Sequence, residues 1–285
     1  VNEDEKEFSA SNDQLVIYLD EVFAEESVLN IRIQYEATPK YGVLRNVNRT
    51  TWTSQLPKTT QHWLPVMDHP RVQFTTELLV THPSGQILVA NGQRVESEVV
   101  SVEEERTTYT SSNPIPATSL SWVLGELTEH SSATVNRSRT SGTQAPIRVR
   151  VYTESVLNTE TNLAELGANT LQAIRDKERI AYPYQDLNIV VLDNDFWETK
   201  SYAAGTVFVY RDHGDFPQQI QRGVLSQWIG TQIREEQWSD ADAIHAAHAI
   251  LANQMFEFEP VTETGIEPYN VFTLHSFSKW SVFFA

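Results

Sequence analysis

Apolar residues change their period at Pro146. Upstream they come in short runs: "LVIYLDEVF" (15–23), "VLNIRIQYEA" (28–37), "VQFTTELLVTHP" (72–83), "QILVANG" (86–92) and "TSLSWVLGEL" (118–127). The second run alternates apolar and polar residues, and "HPSG" and "NG" turns split the later ones. Closely spaced strands bounded by such turns predict an antiparallel sandwich. The small, polar stretch 131–146, "SSATVNRSRTSGTQAP", reads as a boundary linker or a long surface loop.

Downstream the pattern mixes two periods. "IRVRVYTE" is strand-like, and "NLAELGANTLQAIRDKERI" places 163, 166, 171 and 174 on one helical face, with Asn162 and Glu165 at capping-box spacing. "LNIVVLDN" (187–194) and "TVFVYRD" (206–212) read as buried strands. Two helices follow. The first is expected over about 217–234, with Ile220, Leu225, Trp228, Ile229 and Ile233 on one side. The second opens at Ser239 with Asp242 close to a capping box, and its apolar face holds Ile244, Ala247, Leu251 and Met255. No internal repeat is visible, and the last 25 or so residues are aromatic-rich without a clear period.

Composition excludes several function classes. The net charge of −17 repels nucleic-acid phosphates and anionic membrane, so direct nucleic-acid binding is not expected. No apolar run is long enough to span a bilayer, so no membrane span is expected. Without cysteine there is no disulfide and no thiolate metal site, and no P-loop or Rossmann fingerprint occurs. Asp193-Asn194-Asp195 lacks the Gly and distal Glu of a calcium loop. Asn48-Arg49-Thr50 and Asn136-Arg137-Ser138 match the N-glycosylation sequon, which matters only in a secreted eukaryotic chain. The chain starts at Val1 rather than Met, as a processed or partial chain would.

Several local patterns agree in order and spacing from about residue 30 to 256. Trp63, Pro65, Asp68 and Pro70 precede a strand, a Pro turn and Asn91-Gly92; Gly125-Glu126-Leu127 ends a later strand; "YPYQDLNIVVLDNDF" (182–196) follows. This series resembles the aminopeptidase N-type gluzincins, which have Cys where this chain has Val66. The resemblance implies a saddle-like N-terminal antiparallel β-sandwich over 1–145. A truncated thermolysin-like α/β domain over 146–285 would follow, carrying a degenerate zinc site.

In that family His-Glu-x-x-His places two imidazoles on one helix face with a general-base Glu between them, and a Glu nineteen residues on completes the zinc site. "Gln-Trp-x-Gly" follows the second His and is present here as Gln227, Trp228 and Gly230. In this register the ligand positions fall on Arg222, Ser226 and His245, and the base position on Gly223. Arg222 puts a cation where Zn²⁺ would sit, Gly223 cannot take a proton, and Ser226 is a poor ligand. The amine-anchor signature Gly-x-Met-Glu-Asn falls on Thr199, Ser201, Tyr202 and Ala203, so Tyr202 stands near the anchoring Glu and the closest carboxylate is Glu198. Tyr269 does not lie in surroundings like those of the family's catalytic Tyr.

The reading is therefore a pseudopeptidase without catalytic residues, metal or cofactor. It would act as an interaction or scaffold subunit among other protein subunits, with room for a peptide in a residual cleft. The compartment is not fixed; extracellular or periplasmic stands ahead of an intracellular complex. The alternative is an active metallo-hydrolase with a rearranged site around His245, His248 and Asp242, or else these are polar residues on an Ala-rich helix beside Arg222. Asp242 or Asp240 is the expected partner that neutralises Arg222. No G-x-S-x-G elbow surrounds Ser226, so a serine triad is not expected.

Overall fold

The computed structural model describes residues 5–11, 14–137, 145–157, 159–193, 203–211 and 215–256. The first half is β. A two-stranded ribbon, β1 (Phe8–Ser11) and β2 (Gln14–Ile17), leads into a four-stranded sheet and a three-stranded sheet. The four-stranded sheet has the order β3 (Val43–Arg45), β4 (Thr51–Thr53), β9 (Trp122–Gly125), β6 (Ile87–Ala90). In the other sheet, β5 (Gln73–Pro83) and β7 (Gln93–Val99) flank β8 (Glu104–Pro116), all antiparallel.

The second half is built on a sheet ordered β10 (Thr128–Val135), β11 (Ile147–Thr153), β12 (Asp186–Leu192), β13 (Thr206–Tyr210). β10 runs antiparallel to β11, and β11, β12 and β13 are parallel. α1 (Leu163–Glu178) is the β11–β12 crossover. α2 (Phe216–Leu225) and α3 (Ala241–Phe256) follow β13. The 131–146 stretch is neither linker nor loop at its start: residues 131–135 lie in β10, so the second sheet draws on chain from both sides of residue 145.

Both faces of this second sheet are covered, which explains why β12 and β13 are buried along their whole length. Leu187, Ile189 and Val191 of β12 and Val207 and Val209 of β13 join a core with Leu163, Leu171 and Ile174 of α1 and Ile220 and Val224 of α2. The alternate residues Val190, Leu192, Phe208 and Tyr210 face the other way and share a core with Trp52, Val89 and Val123 of the β half. The period of two thus assigns each strand residue to the helix side or the β side.

Asn91 joins the two halves. Its Nδ2 donates to the carbonyls of Ser119 (3.0 Å) and Ala204 (2.6 Å) and to Ser121 Oγ (3.1 Å), and its Oδ1 accepts from the Ser121 amide. The Asn-Gly pair is therefore more than a turn signal: Asn91 is buried, while Gly92 (φ +85°) brings the backbone against Thr110, where a Cβ would lie 2.0 Å from the carbonyl oxygen.

Sequence expectation and structure part at the amino end and at two helix boundaries. Residues 28–37 form no strand, and only 15–17 of the 15–23 run do. The α2 helix stops at Leu225 rather than near 234, with Ser226 as its C-cap. The capping box ahead of α3 is built by Gln237 and Asp240 around the 3₁₀ turn Trp238–Asp240, not by Ser239 and Asp242.

Candidate functional site

The helix that should carry zinc chemistry is α2. Asp215 caps it by accepting from the Gln218 amide (3.3 Å), and a proline sits in its first turn, where no donor is lost. Ile220, Val224 and Leu225 are buried against the sheet and α1. Arg222 and Gly223 lie in its last turn. The buried Ser226 hydroxyl donates back to the Gly223 carbonyl at 2.6 Å, so it is spent on terminating the helix.

Gly223 is a point of close approach. A Cβ built there would lie 2.3 Å from Val207 Cγ1 and 3.0 Å from Cγ2. The base position is therefore filled by a β13 side chain, and no larger residue fits without movement of helix or strand.

His245 and His248 lie on α3, which packs across α2. His248 Nε2 is 2.9 Å from the Arg222 carbonyl oxygen, so its N–H donates there. Burial, with Arg222 nearby, pushes the His248 imidazole down to about 4. Burial also lowers the Arg222 guanidinium from its ordinary value, though not enough to discharge it. Asp242 is exposed, and the Asp240 carboxylate accepts from the Gln237 amide (3.1 Å). A zinc site does not fit these residues: of the three ligand positions one is a cation and one a committed hydroxyl, which leaves His245 alone, and the base position has no side chain. Among the described residues, no three His, Asp or Glu side chains converge to hold a metal ion. Tyr202, Glu198 and Tyr269 lie outside the described residues.

The residues that gave the register are the structural hub. Gln227, fully buried, accepts from the Gly205 amide (2.7 Å) and donates to the carbonyls of Ala203 (3.1 Å), Thr206 (3.2 Å) and Gly223 (3.2 Å). Trp228 donates through Nε1 to the Ala181 carbonyl (2.8 Å) and meets Tyr182 edge-on at 5.6 Å. Gly230, at φ +116°, turns the chain after α2. The Arg234 guanidinium then reaches back to the Pro70 carbonyl (2.9 Å), tying the post-helix segment to the β half. The sequence signals for Gln227 and Asn91 were present only as motif letters; their roles as multi-acceptor amides need the fold.

The His248 position has a pH signature. Its folded pKa lies below the ordinary 6.5 of a histidine, so the folded state disfavours the proton that the unfolded chain accepts. The resulting stability is complete above about pH 6.5, falls as pH drops toward 4, and declines no further below that. The expected loss is about 3 kcal/mol across that window. Urea unfolding at pH 7 and pH 4.5 of the parent and of His248→Gln checks it, because the amide keeps a donor for Arg222 but does not titrate. Equal pH slopes in the two proteins would remove His248 as the cause.

Residues 2–119 match the peptidase M1 N-terminal domain. Among solved structures, the M1 zinc metallopeptidase from Deinococcus radiodurans is 19% identical with a TM-score of 0.64, covering 79% of this chain and 51% of its own. A mutant of that enzyme bound to a Tyr-Ser-Ala substrate is 20% identical with a TM-score of 0.62, covering 78% and 49%. This chain thus spans about half the length of the solved relatives it matches. No curated protein matches it. Residues 2–119 are thus an M1 N-terminal β domain, and with a partial α/β domain behind it the chain shares the fold of M1 zinc metallopeptidases.

Proposed function

We propose that this chain is a non-catalytic member of the M1 family, a pseudopeptidase that works as an interaction or scaffold subunit with other proteins. The observation that carries this reading is the filling of the general-base position: Gly223 lies against Val207, with Arg222 and the committed Ser226 hydroxyl on either side. The segment that follows the helix still does its structural work through Gln227 and Trp228, which supports a role in the fold rather than in chemistry. The two functional units are taken as 1–145 and 146–285, a division that falls between the antiparallel pair β10 and β11. The rearranged metallo-hydrolase alternative is disfavoured by the His248 N–H already donating to the Arg222 carbonyl and by the exposed Asp242. A peptide could still lie in a residual cleft, and without an amine anchor its binding would not require a free N-terminus.

Purified protein dialysed against buffer after incubation with zinc is expected to retain far less than one ion per chain, and to show no turnover of aminoacyl-anilides. His245→Ala should leave both readings unchanged. Stoichiometric zinc that survives dialysis and disappears in His245→Ala would overturn the pseudopeptidase reading in favour of a rearranged metal site.

A further inference from the structure

The Asn48-Arg49-Thr50 tripeptide folds into the β3–β4 turn. The Arg49 amide donates to the Asn46 carbonyl (3.1 Å), the Asn46 amide to the Thr50 carbonyl (3.1 Å), and Arg49 takes a left-handed φ of +65°. The base of the turn is pinned, because Asn46 Nδ2 donates to Glu154 Oε1 (2.7 Å) and to the Asp193 carbonyl (3.0 Å). Its tip projects: Val47 is 94% exposed, Asn48 is exposed, and the Asn48 carboxamide makes no hydrogen bond among the described residues. Thr50 is the reverse. It is buried beneath β9, and a Cβ placed on Gly125 would lie only 2.4 Å from Thr50 Oγ1.

From this geometry we propose that Asn48 carries an N-linked glycan when the chain passes through a eukaryotic secretory compartment, and that the glycan is attached before the β3–β4 hairpin closes. The acceptor needs both the Asn carboxamide and the hydroxyl two residues on. The folded chain presents the first and hides the second, so modification belongs to the nascent chain and the product then sits on solvent. The donor is an oligosaccharide on a lipid diphosphate. The Asn48 Nδ2 forms a bond to the anomeric carbon as the bond from that carbon to the diphosphate oxygen breaks. The diphosphate lipid leaves with the bonding pair, and one amide proton passes to the transferring enzyme's base. Asn136 opens a second sequon, but Ser138 lies outside the described residues, so the proposal concerns Asn48 alone.

The full chain is translated with a cleavable secretory leader in the presence of pancreatic microsomes, as parent, Asn48→Gln, Asn136→Gln and Thr50→Ala. The parent is expected to show a slower-migrating form that peptide N-glycosidase removes, and one step of it is lost in both Asn48→Gln and Thr50→Ala. The peptide containing residue 48 reads as Asp after deglycosylation. Folded, unglycosylated protein presented to the same membranes is expected to stay unmodified. A translocated parent whose residue 48 remains Asn, or whose only step is lost in Asn136→Gln, overturns the site. Modification of the folded protein overturns the timing.

Discussion

Gly223→Glu, which reinstates the general-base residue type at its zinc-peptidase position, is expected to destabilise the chain by about 4 kcal/mol or more and to restore no activity. Forcing atoms into a packed core costs about 1–3 kcal/mol, and burying an unpaired carboxylate adds several more. Both apply here, because the new Cβ would meet Val207 Cγ1 at 2.3 Å and Val207 belongs to the helix-side core. The steric part is separable. In an exposed helix Gly→Ala stabilises by roughly 1 kcal/mol; Gly223→Ala is expected to have the opposite sign. Pairing either substitution with Val207→Ala should recover the steric part and leave the charge part. Urea midpoints with unchanged m-values measure each step. If Gly223→Glu proved as stable as the parent, the helix and β13 would have to separate readily, and the base position would be open after all.

How much of this could be read from residues depends on what kind of physics wrote them. The parallel strands were legible because residues 189–192 are a continuous apolar run that only a sheet covered on both faces can bury. The α1 helix was legible because Asn162 caps it and its apolar residues keep one face. In 28–37 the alternation is equally clear, yet Val28, Leu29, Ile31, Ile33 and Tyr35 stay exposed. Alternation states that a segment could pair as a strand. It does not supply the neighbour, and among the described residues none lies alongside.

The candidate site divides in the same way. Its register was legible, because Gln227, Trp228 and Gly230 are spelled in the sequence at the family's spacing. What fills the positions was not. Gly223 reads as a missing base on an ordinary helix, whereas its contact is with a strand residue sixteen positions earlier, which no local pattern reports. The helix end was missed for a related reason. Residues 226–233 keep apolar helical spacing, but the Ser226 hydroxyl bonded to the Gly223 carbonyl and the left-handed Gly230 stop the helix.

Gln227→Leu is expected to lose about 3 kcal/mol or more while nearly preserving side-chain volume. Leucine leaves the Gly205 amide without its acceptor and removes a donor from the Ala203 and Thr206 carbonyls, of which Ala203 keeps the Thr206 amide (3.3 Å). A buried polar group left unpaired costs about 1–3 kcal/mol. The loss should be local before it is global. The 203–206 bend also accepts Asn91 at the Ala204 carbonyl, so it is held from the helix side by one amide and from the β half by another. With Gln227 removed, the Gly205 amide is expected to exchange with solvent many-fold faster than amides in β12, and Gln227→Leu with Asn91→Ala should lose more than the sum of the two. Gln227→Glu discriminates further. A carboxylate can accept from Gly205 but faces three carbonyl oxygens it cannot donate to, so this variant should be the weakest at neutral pH and recover as acid protonates it. Unchanged exchange at Gly205 in Gln227→Leu would mean that the Gln-Trp pair is packing alone, and that the bend is held from the β half.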